Sequence, residues 1–328
     1  MTFDHDTAQA AVAAVAATAS GHVGLLARHL DTGAELRWNP DAQFGTASTI
    51  KVAIYAEVMR RRALGHVDLG AEVVTRLPDL TGGAGVLGVL RPGLRCTVAD
   101  LCTLMIVVSD NTATNMLIDL LGGVAAVNEG VASLGYPGLV LDHKVRLQPP
   151  PLVAGPHAPG LAATAGLAAT AGSGPDAAAG PGRPLGTATP AEFCRLFGDL
   201  QAGRVIDPAS SAEMLLTLRH QQSRSLLPRF YLDVAEPPYE PDGDGPGVAS
   251  KTGWVGGCRV DTGLLYLPGD GGTVAYCAAA DGLADQTMTT LAEGDELLGR
   301  LGAIILARWW PGPGPVPLRD GWLPGHVR

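Results

Sequence analysis

Apolar and polar positions change period several times along this chain. From Ser48 to Arg62 (STIKVAIYAEVMRRR) apolar side chains recur at helical spacing, with no Gly or Pro to interrupt them, so the stretch predicts a helix. Thr97–Val108 (TVADLCTLMIVV) is almost wholly apolar and predicts a centrally buried helix capped by Thr97. Residues 7–19, Asn111–Leu121 and Val124–Leu134 read as further helices. Thr189 and Pro190 supply the cap and first position of another, running to about Gln201. Elsewhere the period shortens to two. His22–Leu30 alternates weakly, Asp31-Thr32-Gly33 signals a turn, and Ala34–Trp38 completes a hairpin. Gly247–Lys251, Cys258–Leu267 and Gly272–Ala280 are strand candidates, separated by glycine pairs and by Pro268-Gly269-Asp270. A long helix, Asp285–Trp309, follows.

Strands at both ends with helices between them imply one antiparallel sheet closed by the N- and C-terminal segments, with an all-helical block inserted in the middle. The fold class is therefore α/β (α+β), an antiparallel sheet flanked by helices plus a helical subdomain, in a single domain. Residues 1–45 and 205–310 form the α/β part and 46–204 the helical part. The pattern lapses over 149–184, where Ala, Gly, Pro and small polar residues dominate and GLAATAG recurs from Gly160 and Gly166. Such a segment has too little bulk to bury and reads as a mobile insertion. Residues 311–328 read as an irregular tail.

Composition narrows the function. A chain that is 46% hydrophobic supports a sizeable core, while a net charge of −9 without any basic run points away from nucleic acid. The five cysteines are scattered, and no C-x-x-C or H-E-x-x-H occurs, so neither a metal site nor a cofactor is expected. Free buried thiols suit a reducing compartment. The Ala/Val stretch near the N-terminus follows Asp4 and Asp6 rather than a positive charge, which reads as a helix and not a secretory signal. No apolar run reaches the ~18 residues needed to span a bilayer. The expectation is a cytoplasmic protein without membrane or nucleic-acid partners.

The basic residues carry a sharper signal. Twenty are arginine and three are lysine: Lys51, Lys144 and Lys251. A buried lysine can drop its pKa and act as a base, which arginine cannot do. Lys51 stands three residues after Ser48 at a helix start, so both share one face and the amine can reach the hydroxyl. The helix N-terminus disfavours the lysine cation and favours a developing oxyanion. Ser109-Asp110-Asn111 leaves one helix and opens the next, and Lys251-Thr252-Gly253 ends a short strand at a glycine. Taken singly, these are a helix cap, an N-cap loop and a strand end with a solvated lysine. Their joint occurrence, once each and in this order, is more specific.

On these motifs the chain resembles the serine β-lactamase and penicillin-binding protein superfamily, most closely its class A β-lactamase branch. The likeness extends to Asp31-Thr32-Gly33, Phe44–Lys51, Thr112-Ala113, Thr187–Pro190 and Lys251–Asp261. The resemblance implies that Ser48 is the acylated nucleophile, Lys51 its base or proton relay, and Ser109 the donor to the leaving nitrogen. It implies that Asn111 binds a substrate amide and orders Lys51. Lys251 would hold Ser109 and a substrate carboxylate, helped by Thr252. The N–H groups of Ser48 and Trp254 would form the oxyanion hole, with the Trp254 indole narrowing the site. Arg259, allowing a one-residue gap, matches a carboxylate-binding arginine. Cys102 stands where some exported members carry half a disulfide, but the partner position is Tyr55.

The chain departs from the class A pattern in one chemical respect. Those enzymes position a hydrolytic water with a glutamate on the loop before the Thr-x-Thr-Pro helix, and here no glutamate occurs between Glu129 and Glu192. Asp142, His143 and Lys144, at the start of that loop, are candidate substitute bases; the plainer reading is a structural Asp142–Lys144 pair or a surface position. The expected function is hydrolysis of a β-lactam or related cyclic amide through acyl-Ser48. The alternatives are an esterase, peptidase or natural-product enzyme of the same mechanism, or a penicillin-binding protein without turnover.

Overall fold

The computed structural model describes residues 3–147, 184–231 and 247–310. Both the 149–184 insertion, except Pro184, and the 311–328 tail lie outside the described residues. Helix α1 (His5–Ala16), capped by Asp4, leads into β1 (His22–His29) and β2 (Glu35–Trp38). A short β3 (Phe44–Gly45) and a 3-10 turn (Ala47–Ile50) precede α2 (Lys51–Ala63). Strands β4 (Glu72–Val74) and β5 (Arg95–Thr97) pair before α3 (Val98–Val107), α4 (Asn111–Leu120) and α5 (Val124–Ser133). Strands β6 (Val140–Leu141) and β7 (Gly186–Ala188) join β3 in a small sheet. Next come α6 (Pro190–Gln201), α7 (Pro208–Arg219), β8 (Gly247–Val255), β9 (Cys258–Tyr266), β10 (Thr273–Asp281) and α8 (Glu293–Trp309).

The main sheet is antiparallel, in the order β2-β1-β10-β9-β8. N- and C-terminal strands thus meet at its centre, as the sequence implied, and among the described residues β8 is an edge strand. Alternation along each strand divides the core into two layers. Leu26, Ala249, Val260, Leu264 and Cys277 face α2, α3, α6 and α7; Leu25, Val248, Leu265, Tyr276 and Ala278 face α1 and α8. Helix α6, assigned by sequence to the helical part, packs against β10, β1 and β9.

The caps read from sequence are present. Thr97 Oγ1 accepts from Asp100 N at 3.0 Å, and Asp100 returns the bond by accepting from Thr97 N at 2.8 Å. Thr189 Oγ1 accepts from Glu192 N at 3.1 Å, with Pro190 opening the helix. Two boundaries differ by four residues or more. Strand β8 continues past Lys251 to Val255, because Gly256-Gly257 and not Gly253 makes the hairpin turn. Helix α8 starts at Glu293, eight residues after Asp285, whose carboxylate instead accepts from Thr287 N and Glu293 N, each at 2.9 Å.

Candidate active site

Three chain segments converge where β8 passes the start of α2. Ser48 lies in the 3-10 turn and Lys51 is the first residue of α2; in such a turn residues i and i+3 eclipse, which keeps both on one side. The turn begins at Ala47 in left-handed backbone (φ 42°), and Ser109 shares that conformation (φ 57°). Non-glycine residues held there are strained, and such strain gathers at functional sites. Ser48 is partly exposed, while Lys51, Ser109 and Lys251 are buried.

The Lys51 amine lies 2.7 Å from Ser109 O, 2.8 Å from Asn111 Oδ1 and 3.1 Å from Ser109 Oγ. The first two partners only accept. The third is a hydroxyl, which can accept from an ammonium or donate to a neutral amine. Burial holds Lys51 well below the usual lysine range, helped by the nearby Lys251 charge and opposed by Asp110. Lys251 Nζ donates to Thr252 O at 2.8 Å and lies 3.1 Å from the same Ser109 Oγ. Burial pushes Lys251 down to about 7, against the Asp261 charge. One hydroxyl therefore bridges two dry amines that cannot both carry a proton without cost.

Strand β8 presses close to the nucleophile. A methyl placed on Gly253 would lie 2.7 Å from Ser48 N and 2.8 Å from Thr46 O, so glycine is needed for space. The two-residue hairpin at Gly256-Gly257 fixes which groups point off the edge. Val255 and Cys258 close it as a hydrogen-bonded pair, so Trp254 and Arg259 form the next, non-bonded pair. The Trp254 N–H consequently points off the β8 edge of the sheet, beside Ser48 N.

Other sequence-derived candidates fall elsewhere. Gly253 faces Ser48, so alternation turns Thr252 and Trp254 to the rear of the sheet. The Thr252 hydroxyl is fully buried there without a hydrogen-bond partner, and the indole packs against the rear core. The indole does not narrow the cleft. Arg259 also faces the rear: its Nε donates to Asp295 Oδ2 at 2.5 Å, and its other nitrogens donate to the carbonyls of Thr287, Cys258 and Val255. It is a buried structural cation and not a carboxylate anchor at the cleft. Lys144 pairs with Asp119 Oδ2 at 2.6 Å, not with Asp142. Asp119 stands eight residues along α4 from Asn111, about 12 Å of helix. Asp142 N bonds Leu185 O, and His143 Nδ1 contacts Lys144 O at 2.9 Å. Tyr55, opposite the buried Cys102, bonds Thr217.

The sequence reading missed the segment that braces Asn111. Thr81–Leu87 is stitched to the start of α4: Asn111 Nδ2 donates to Gly82 O at 2.9 Å and Asn111 N to Ala84 O at 3.1 Å. Fully buried Asp110 accepts from Val86 N at 2.6 Å and Leu87 N at 2.8 Å while capping α4 through Ala113 N. Gly85 has φ 101°, and a methyl on it would come within 2.4 Å of the Asp110 carboxylate, which makes glycine obligatory. The signal in the sequence was the cluster Thr81-Gly82-Gly83-Ala84-Gly85.

Residues 7–309 match the family profile described as the beta-lactamase enzyme family. A Rhodobacter capsulatus protein named beta-lactamase is 33% identical over 138 residues, 42% of this chain and 46% of that protein, so the match spans less than half of that relative. The crystal structure of a beta-lactamase from Sphaerobacter thermophilus is 31% identical, with a TM-score of 0.70 over 93% of this chain and 97% of that one. A mutant of PBP-A, solved as an acyl-enzyme complex with penicillin G, is 25% identical, with a TM-score of 0.66 over 91% and 94% of the two chains.

Proposed function

The chain belongs to the beta-lactamase enzyme family, and on that premise we propose that it is a serine hydrolase of the class A type, acylated on Ser48 by a β-lactam or related cyclic amide. The observation that carries this reading is the Ser109 hydroxyl held 3.1 Å from both lysine amines beside Ser48. Ser48 Oγ attacks the amide carbon while neutral Lys51 takes its proton. The carbonyl oxygen gains charge against the N–H groups of Ser48 and Trp254. As the C–N bond breaks, Ser109 gives its proton to the leaving nitrogen and is reprotonated from the lysine pair. Lys251, as the ammonium, attracts a substrate carboxylate.

Hydrolysis of the ester then needs a base for water. The lack of any glutamate between Glu129 and Glu192 favours a second reading, in which the adduct forms and leaves slowly. Nitrocefin turnover run beside intact-protein mass spectrometry separates the two. Sustained colour without a lasting adduct supports the hydrolase, and a persistent adduct on Ser48 supports the slow acyl-enzyme. Ester hydrolysis lost in Ser48→Ala, with neither β-lactam signal, moves the substrate to esters. Full activity in Ser48→Ala would overturn all three.

A further inference from the structure

Behind the strand that carries Lys251 lies a polar cluster within the rear layer of the core. Asp261 on β9 is fully buried, and its carboxylate accepts from Leu227 N and from the Tyr276 hydroxyl, each at 3.1 Å. Around it Val248, Leu265, Leu298 and Leu301 belong to the rear core. A buried carboxylate with two neutral donors is a costly choice for such a place, and the proposed chemical steps make no use of it.

Register supplies the use. Asp261 pairs with Thr252 across β8 and β9, in the non-hydrogen-bonded set where partners stand closest. On the opposite face the Lys251 amine is tied to the carbonyl of that same Thr252 at 2.8 Å. One strand of dry protein separates anion from amine. The Asp261 charge supports the Lys251 ammonium against burial, and Lys251 in turn helps hold down an Asp261 carboxyl that burial raises to about 7. Also on the Asp261 side, Arg259 and Asp295 are committed to each other, Arg229, two residues after Leu227, donates to Thr290 O, and Tyr276 is bonded to Asp261 itself. On the cleft side Lys251 faces Lys51, whose own ammonium Asp110 favours.

We propose that Asp261 is a positioning residue for Lys251, a buried counter-charge acting through the sheet that keeps the Lys251 amine protonated and directed at Ser109 and an anionic substrate group. The inference rests on the proposed role of Lys251. It predicts linked titration of two groups that do not touch.

With three lysines in the chain, 13Cε-labelled lysine gives three NMR signals, and Lys144→Arg identifies one of them. In Asp261→Asn the Lys251 midpoint moves to lower pH by on the order of one unit, and the Lys144 midpoint stays. Tyr276→Phe removes a donor that stabilises the carboxylate, and shifts Lys251 the same way by less. In the wild-type protein Asp261 13Cγ and Lys251 13Cε each show an inflection at the other's midpoint. An unmoved Lys251 midpoint in folded Asp261→Asn overturns the proposal. So does a wild-type protein without mutual inflections, which decides the matter even where the variants do not fold. Penicillin acylation of Ser48 in the same variants loses its alkaline limb at lower pH than wild type. A wild-type protein that is never acylated sinks the proposed function alone, since the titrations still decide the role of Asp261.

Discussion

Gly253→Ala tests whether the closeness of β8 to the nucleophile matters. The glycine is not in left-handed backbone, so the substitution adds volume without dihedral strain. The new methyl would meet Ser48 N at 2.7 Å, Thr46 O at 2.8 Å and Thr49 N at 3.0 Å, all backbone atoms that cannot rotate away. Restoring ordinary contact requires strand and turn to separate by roughly 0.5–1 Å. Overpacking of this kind costs about 1–3 kcal/mol. Its chemical effect is larger: Ser48 N and Trp254 N move apart, and a displacement of about 1 Å at a reacting centre costs on the order of a hundredfold in rate.

Stopped-flow acylation by a chromogenic cephalosporin reads the rate, and thermal melting reads the stability. The control is Gly33→Ala in the turn between β1 and β2. Gly33 has φ 71° and no atom within 4 Å of a methyl there, so the variant introduces backbone strain far from the cleft. Gly33→Ala should lower the melting temperature and leave acylation unchanged. Gly253→Ala acylating at the wild-type rate, or losing rate only in proportion to melting temperature as Gly33→Ala does, would refute the spatial argument.

Three further outcomes follow from the same contacts. Lys51→Arg puts a permanent cation where a neutral amine is needed, so acylation should fall by at least ~10³-fold, whereas Lys144→Arg keeps its surface pair with Asp119 and full activity; equal losses by the chromogenic assay would contradict the roles assigned. Asp295→Ala leaves the Arg259 guanidinium buried and unpaired, costing about 3–5 kcal/mol by urea unfolding, while KM for a carboxylate-bearing substrate stays unchanged; a raised KM without lost stability would return Arg259 to the cleft. Asp261, raised to about 7, binds more protons folded than unfolded between about 4 and 7, so its contribution to stability falls as pH rises through that window. Lys251, lowered to about 7, binds fewer protons folded than unfolded from there to the ordinary lysine range, so stability recovers as pH rises further, and Lys51 acts in the same direction. The unfolding free energy of wild type minus that of Asp261→Asn, measured at pH 5, 7 and 9, should fall between pH 5 and 7; a pH-independent difference between the two would contradict the sign.

Much of the fold was legible because long periodic segments report their own burial. Helices α3, α4 and α6 and strands β1, β9 and β10 lie within a residue or two of their expected limits, α2 begins three residues late because Ala47–Ile50 is a 3-10 turn, and the caps at Thr97 and Thr189 form as read. Strands of two or three residues, such as β3, β6 and β7, offer no period to detect, and α7 was overlooked despite the Asp207 cap and Pro208 at its start. The extra eight residues assigned to α8 failed for another reason. Asp285 satisfies its carboxylate with the N–H groups of Thr287 and Glu293, and Arg259 takes the Thr287 carbonyl, which stabilises a loop that composition alone does not reveal.

Within the site, residue identity was legible and side-chain direction was not. Lys51, Ser109 and Asn111 stand at helix boundaries that local sequence sets, and Lys251 meets them from within β8. The resemblance puts the Thr252 side chain, the Trp254 indole and Arg259 at the cleft, yet the parity of β8 and its hairpin sends all three side chains to the rear. The scarcity of lysine shows the same limit. Lys51 and Lys251 are completely buried with lowered pKa values, the one property arginine cannot supply, while Lys144 makes a surface ion pair that arginine would make as well. Rarity therefore marks a titratable lysine only where a motif fixes its register against a second buried charge. That condition also brings in Asp261, whose place behind Lys251 is visible only once β9 is laid against β8.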